Sequence, residues 1–342
     1  MNVLSLFDGI SCAYVGLQRA GIEVSKYYAS EIDKNAITIS TKNVPCRIAL
    51  GDVREITTLD DTIDLLVGGS PCQDLSIAKK GRTGLDGNRS SLFWEYVRIK
   101  ELIKPKYFIL ENVASMPKAD KDIITKAMGV EPIMINASLV SAQSRKRLFW
   151  TNIPNVVQPE DRGILLKDIL QPDADVDERF VVNGKSFCLT ASYSKTSKEP
   201  KEKETNHEAE KKQRTLVKVG YIGEGDQYGQ GGLGAKTGLY LVQDIGRRLD
   251  ENGVRHDGDT NYPVVRQLEF RDGDKCKTLT SVTKDNLICK DDRIRKLTPI
   301  ECERLQGLPD NYTEGIAITN RYKCLGNAFN VDVITHILKS IL

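Results

Sequence analysis

Short apolar runs and segments with helical apolar spacing alternate through the first 150 residues, with polar, glycine-bearing turns between them. Residues 3–6 read as a short buried strand, followed by a glycine turn and a helical stretch at 13–20. A second strand at 26–30 ends at Glu31, and a helix follows from about residue 33 to 41. A third strand at 47–50 closes on Gly51-Asp52, a fourth spans 65–67, and a fifth at 107–110 ends at Glu111. Between the last two, Leu92, Tyr96, Ile99 and Ile103 recur at helical spacing. Strands alternating with helices predict an α/β domain with a doubly wound, mostly parallel sheet. Ligands bind such sheets at the carboxyl ends of the strands.

The pattern changes after about residue 180. The segment 194–214 is almost wholly polar and reads as a flexible loop, and 220–238 is glycine-rich. Two segments, "KSFCLTAS" at 185–192 and "KCKTLTSV" at 275–282, resemble each other and read as short strands presenting hydroxyls and lysines. Helical character returns at 299–305 and in a closing amphipathic stretch at 329–342. The expected organisation is a catalytic and cofactor-binding domain at 1–180, a smaller irregular module at 181–292, and a segment at 293–342 that returns to the first domain.

Composition changes this picture little. With 342 residues, 40% hydrophobic and 28% charged, the chain has the make-up of an ordinary globular protein. No apolar run approaches the ~20 residues of a membrane span, so a cytoplasmic or nucleoid-associated protein is expected. Eight cysteines without a C-x-x-C pair, and only three histidines, argue against a metal site or a disulfide framework. The net charge of +2 neither demands nor excludes nucleic acid, but basic residues cluster at Lys79, Lys80 and Arg82 and at Arg145, Lys146 and Arg147.

The candidate chemistry lies at strand ends. The turn "LFDGIS" is not G-x-G-x-x-G; Gly9 supplies backbone freedom, and the Asp8 carboxylate would repel a pyrophosphate. A nucleoside carrying a cationic group suits it better, which favours S-adenosylmethionine over NAD. Glu31 is placed to hold ribose hydroxyls, and Asp52 to accept from an exocyclic amine. Taken singly, each acid also fits a helix cap. Cys72, after Pro71 in "GGSPCQDLS", has the setting of a nucleophile before a basic, glycine-rich segment. Glu111-Asn112 ends the next strand, and "SAQSRKRLFW" puts Arg145 and Arg147 on one face of a later one.

"FDGIS", "GGSPCQDLS", "ENVASM", "SAQSRKR", "RKLTPIECERLQGLP" and "GNA" occur in the order found in DNA (cytosine-5)-methyltransferases, and the chain resembles that family over nearly its whole length except about 183–292. The first turn and "GGSPCQDLS" look closer to the animal de novo enzymes than to the F-x-G-x-G type, and phage and bacterial chains share them. The resemblance implies that Cys72 attacks C6 of a flipped-out cytosine, Glu111 acts at N3 and Asn112 orients the loop bearing Cys72. It makes Arg145 the candidate for the base edge, with Arg147 in support. It implies a cofactor pocket for S-adenosylmethionine from Phe7, Asp8, Gly9, Ile10, Glu31, Ile32, Asp52, Val53, Asn327 and Ala328. Double-stranded DNA is the implied partner, contacted by Gln73, Ser76, Lys79, Lys80 and Arg82 and, in a target-recognition module at 181–292, by Thr190, Lys277, Thr278 and Thr280; a cognate restriction endonuclease is a further candidate partner. The remaining cysteines are expected to be packed or incidental, and Arg304 and Glu301 to be scaffold. Methylation of tRNA by the same chemistry, and a catalytically inactive DNA-binding homologue, are the alternatives; the joint presence of Cys72, Glu111, Arg145 and the acids disfavours the second. An NAD-dependent dehydrogenase fails on the glycine pattern and on Asp8.

Overall fold

The computed structural model describes residues 1–70, 92–171 and 297–342, together with the backbone of five strands between 239 and 296. Two compact units result. The first joins Met1–Gln171, Asp274–Ser281 and Thr298–Leu342, and the second joins Pro172–Gly273 to Val282–Leu297. These borders differ from those expected at 180 and 293 from composition. Residues 274–281 also belong with the first unit, because a strand there pairs with it.

In the first unit the elements run β1 (Asn2–Leu6), α1 (Cys12–Ala20), β2 (Lys26–Ser30), α2 (Lys34–Asn43), β3 (Arg47–Gly51), β4 (Leu65–Gly68), α3 (Leu92–Ile103), β5 (Tyr107–Val113), α4 (Lys118–Met128), β6 (Ile133–Asn136), β7 (Gln143–Ser144), β8 (Lys146–Thr151) and the single turn α5 (Leu166–Ile169). After an intervening segment come α6 (Pro299–Leu305), α7 (Ile318–Asn327) and α8 (Val331–Lys339). The main sheet has the order β3-β2-β1-β4-β5-β8-β6, parallel from β3 through β5, with β8 antiparallel to both neighbours. Strand order reverses beside β1, so the carboxyl ends of β1 and β4 open a crevice.

Sequence chemistry explains the element ends. Asp33 accepts from the backbone of Asn35 and Ala36 and caps α2. Thr298 and Glu301 form a reciprocal capping box on α6, with Pro299 at its first position. Gly21 and Gly129 end α1 and α4 in the left-handed conformation. The strands β1 and β4 are largely apolar, Asn2 and Ser5 of β1 apart, because both faces are covered, as their burial shows.

Several expectations shift by a few residues; β5 continues through Val113, so Glu111 and Asn112 lie within the strand rather than beyond it. The basic strand expected at 141–150 is broken into β7 and β8 at Arg145, whose N–H donates to the Asn136 side chain while its carbonyl accepts from Ala137. In the second unit β9 (Leu239–Arg248), β10 (Val264–Arg271), β12 (Leu287–Lys290) and β13 (Arg293–Lys296) form an antiparallel sheet in the order β10-β9-β12-β13. The short β11 (Cys276–Lys277) pairs in parallel with β7 of the first unit. Among the described residues no helix is long and apolar enough to cross a membrane.

The closing helix α8 packs on α1 where Gly16 leaves room: a Cβ there would sit 2.9 Å from the Ile334 methyl. Gly16→Val is expected to destabilise the fold by about 1–3 kcal/mol through overpacking, read as a lowered thermal midpoint.

Candidate active site

The turn after β1 is bent sharply. Phe7, Gly9 and Ser11 all have positive φ, at 55°, 58° and 59°, and two of them are not glycine. Such backbone persists only when its surroundings fix it, and here polar contacts do so. The Gly9 N–H donates to Glu31 Oε2 (2.8 Å), tying the turn to the end of β2. The buried Asp8 accepts from Tyr27 Oη (2.6 Å) and from the Ser11 hydroxyl. Burial pushes the Asp8 carboxyl upward, with the Ser11 and Tyr27 hydrogen bonds opposing that rise. Asp8 therefore lines the cleft as the internal brace of its own turn.

That cleft has a volume of about 260 Å³. Phe7, Asp8, Gly9 and Ile10 line one side, Glu31 and Asp33 the rim, and Asn327, Ala328 and Phe329 another wall. Glu31 accepts from three backbone N–H groups, of Gly9, Ile32 and Asp33, each at 2.8 Å. Its carboxylate is thus rigidly oriented at the end of β2. An acidic rim around an aromatic and aliphatic interior fits a nucleoside bearing a positive charge. Three expected members lie elsewhere. Asp52 caps a short 3₁₀ turn at Val53–Glu55 and takes the Arg54 guanidinium at 2.5 Å, a bond that holds its carboxyl down at about 2. Val53 is buried in the core beneath. Ile32 is 67% exposed and does not line the cleft.

Of the catalytic candidates that the structure describes, Glu111, Arg145 and Arg147 line the same cleft, and Asn112 is buried next to Glu111 in β5. Glu111 Oε1 and Arg147 Nε form an ion pair at 2.8 Å, both side chains mostly buried, from the adjacent strands β5 and β8. Asn112 donates to the Ser70 hydroxyl (3.2 Å), two residues before Cys72, and also accepts from the Val113 N–H. Gly69 is required by close approach: a Cβ there would lie 2.7 Å from the Phe329 ring and 3.1 Å from Glu111 Oε2. Cys72, Gln73, Ser76, Lys79, Lys80, Arg82, Thr190, Thr278 and Thr280 lie outside the described residues. For Lys277 only the backbone is described, in β11 opposite Ser144, which places it with the first unit rather than with the module expected at 181–292.

The two arginines, both lining the cleft, have different partners. Arg145 is 4% exposed, and its guanidinium donates to the carbonyls of Gly326 (3.3 Å) and Ala328 (2.9 Å). It holds the C-terminal wall of the cleft. Arg147, two residues on in β8, is the one engaged with Glu111.

Sequence reasoning passed over Asp33, Ser70, Lys323, Cys324 and Phe329, all of which line the cleft. Lys323 Nζ pairs with Asp33 Oδ2 at 2.6 Å, joining α7 to the cap of α2. The available signals were the adjacency of Phe329 to "GNA" and the place of Ser70 within "GGSPCQDLS"; nothing in the sequence marks the other three. Cys12, Cys302 and Cys324 are buried free thiols, and burial pushes Cys324 up to about 11.

The C-5 cytosine-specific DNA methylase family model matches residues 1–342. Type II methyltransferase M.HhaI of Haemophilus parahaemolyticus is 26% identical, aligned over 100% of this chain and 94% of its own length. Orphan methyltransferase M.SPRI of Bacillus phage SPR is 27% identical over 100% of this chain and 97% of its own. Among solved structures, the S. pombe Dnmt2 methyltransferase superposes with a TM-score of 0.59 at 17% identity, covering 100% of this chain and 98% of that one. The Entamoeba histolytica methyltransferase EhMeth gives 0.58 at 16%, covering 100% and 97%. An end-to-end family match on a chain whose strand ends gather Glu31, Glu111 and Arg147 around one cleft leaves no ambiguity of family: the chain belongs to the C-5 cytosine-specific DNA methylases, enzymes that draw their methyl group from S-adenosylmethionine.

Proposed function

We propose that this cleft methylates C5 of a cytosine flipped out of double-stranded DNA, with Cys72 as nucleophile, Glu111 at N3 and Arg147 at the base edge. The observation that carries the assignment is the Glu111–Arg147 pair, held at 2.8 Å on the cleft wall beside Gly69 and Ser70. A cytosine ring resists attack at C6 unless charge at N3 is neutralised, which calls for an acid fixed beside the nucleophile's loop. Glu111 meets that need: β5 fixes its backbone and Arg147 fixes its carboxylate. Asn112, bonded to Ser70, anchors the stem from which Cys72 departs.

In this reading the Cys72 thiolate forms a bond to C6, and the electron pair displaced from the C5–C6 double bond makes C5 nucleophilic. S-adenosylmethionine, when bound, supplies the electrophilic methyl group that C5 takes. A base then removes the C5 proton, the double bond re-forms, and the thiolate leaves. Glu31 and the braced 7–10 turn orient the cofactor, while Phe329, packed on Gly69, closes the apolar side against water. Flipping the base costs a few kcal/mol of stacking and pairing, offset by protein contacts. Those contacts are assigned to Gln73, Ser76, Lys79, Lys80 and Arg82 near the nucleophile. Thr190, Thr278, Thr280 and the second unit take the target-recognition role. A cytoplasmic site of action, and a cognate endonuclease of the same target specificity, belong to this reading; the type II relatives support the latter.

Duplex DNA with 5-fluorocytosine at the target should trap a covalent adduct on a denaturing gel, and Cys72→Ala should give none. An adduct that survives in the variant, or methyl transfer to tRNA in preference to DNA, would overturn the assignment. The arginines are expected to separate kinetically. Arg147→Ala should lower kcat by roughly 100-fold, the scale of a lost acid–base partner, with cofactor affinity little changed. Arg145→Ala should instead weaken cofactor binding roughly tenfold or more, the scale of charge-assisted hydrogen bonds, as measured by calorimetry.

A further inference from the structure

Glu303 is a carboxylate with no exposed surface, on α6 and away from the reacting groups. It accepts from the backbone N–H of Asn311 (2.7 Å) and of Thr313 (2.8 Å), from the Thr313 hydroxyl, and from Arg321 Nη2 (2.9 Å). Burying such a pair costs several kcal/mol of desolvation, and apolar residues of similar volume often stabilise a fold as well or better. Stability alone is therefore a poor reason for it. Its geometry suggests another, because each donor leads to the cofactor cleft.

Between Asn311 and Thr313 stands Tyr312, 6% exposed, whose hydroxyl donates to the Ile10 carbonyl at 2.9 Å. Ile10 belongs to the strained turn that lines the cleft. Burial pushes the Tyr312 phenol upward, so it stays protonated and a donor. The Tyr312 carbonyl in turn accepts from the Asn43 side chain at the end of α2 (3.0 Å). Arg321, the other partner, sits on α7 two and three residues before Lys323 and Cys324, which line the cleft. Asn311 itself has a φ of 62°, an uncommon conformation that the Glu303 contact holds in place.

We propose that Glu303 is a positioning residue for the cofactor site, setting the 7–10 turn through Tyr312 and the α7 wall through Arg321. The proposal rests on the cleft being the S-adenosylmethionine site. It makes cofactor affinity, rather than the chemical step, depend on a carboxylate that never touches the cofactor.

The test is calorimetric titration of the full chain with S-adenosylmethionine, paired with steady-state kinetics on duplex DNA. Tyr312→Phe removes one hydroxyl and should weaken cofactor binding roughly three- to tenfold, the scale of one buried hydrogen bond. Glu303→Gln should weaken it by about tenfold or more, because its amide would face N–H donors. The KM for DNA, and kcat at saturating cofactor, should stay within about twofold for both. The double variant should bind about as weakly as Glu303→Gln alone, since linked residues are not additive. Unchanged affinity in folded variants, fully additive losses, or a fall in kcat with affinity intact would overturn the proposal. Should Glu303→Gln fail to fold, Thr313→Val, which removes one hydroxyl donor, takes its place, and unchanged affinity there is equally fatal. Wild-type protein that does not bind S-adenosylmethionine would sink the reading of the cleft itself, a failure visible before any variant is compared.

Discussion

The buried guanidinium of Arg145 joins two parts of the chain that sequence keeps far apart. Its donors reach the carbonyls of Gly326 and Ala328, more than 180 residues away, and so fix the last segment against the catalytic sheet. Without that segment the cleft has no wall opposite β1, because Lys323 through Phe329 supply much of its lining. A buried cation is costly unless its donors are satisfied. Carbonyls at the end of a helix, where intrahelical partners run out, are well suited to satisfy it. The carbonyl end of α7 and the two terminal nitrogens of the arginine thus satisfy each other. Lys323–Asp33, Gln306 to the Leu325 carbonyl, and Tyr312 to the Ile10 carbonyl repeat the same closure at other points.

Such a closure explains how a chain can carry an insertion of more than a hundred residues in its middle. The chain leaves the first unit after Gln171, returns to it briefly at Asp274–Ser281, and re-enters it for the last time at Thr298. Loop-closure entropy grows only slowly with length, so the intervening sequence can vary without loosening the site, provided the closing contacts remain. Thr298 shows the re-entry handled locally: its hydroxyl donates to the Gln171 side chain at 2.5 Å while Glu301 accepts from the Gln171 N–H, so exit and return are stitched side by side. Glu301 and Arg304, expected as scaffold, do serve this seam, Arg304 by donating to the Ile169 carbonyl.

What could be read from the sequence followed the range of the forces involved. Period and turn chemistry are local, so β1 to β5 and α1 to α3 were legible within a few residues. Glu31, read as a carboxylate at the end of a strand, is found there on the cleft wall, held by the local N–H groups of Ile32 and Asp33 and by the distant Gly9 N–H. Asp52 has the same setting at a strand end, but in the structure it pairs with Arg54, two residues on, and does not line the cleft. The helix α7 was missed: its polar sequence, with few apolar positions, owes its helicity to tertiary contacts such as Arg321–Glu303 and Lys323–Asp33. Sequence motifs report what a site contains, whereas the closing contacts depend on which distant residues meet.

The arginines show the limit most sharply. Spacing at i and i+2 predicts side chains on one face of a strand, and the basic run at 145–147 invited that reading. The strand is in fact interrupted at Arg145, where the Asn136 side chain and the Ala137 N–H take up its backbone groups. Released from the ladder, Arg145 turns into the interior to reach the carbonyls of Gly326 and Ala328. Arg147, back in register opposite Val113, remains beside Glu111. One backbone interruption therefore gives two like side chains different partners: Arg145 ties the C-terminal segment to the sheet, and Arg147 pairs with Glu111 on the cleft wall.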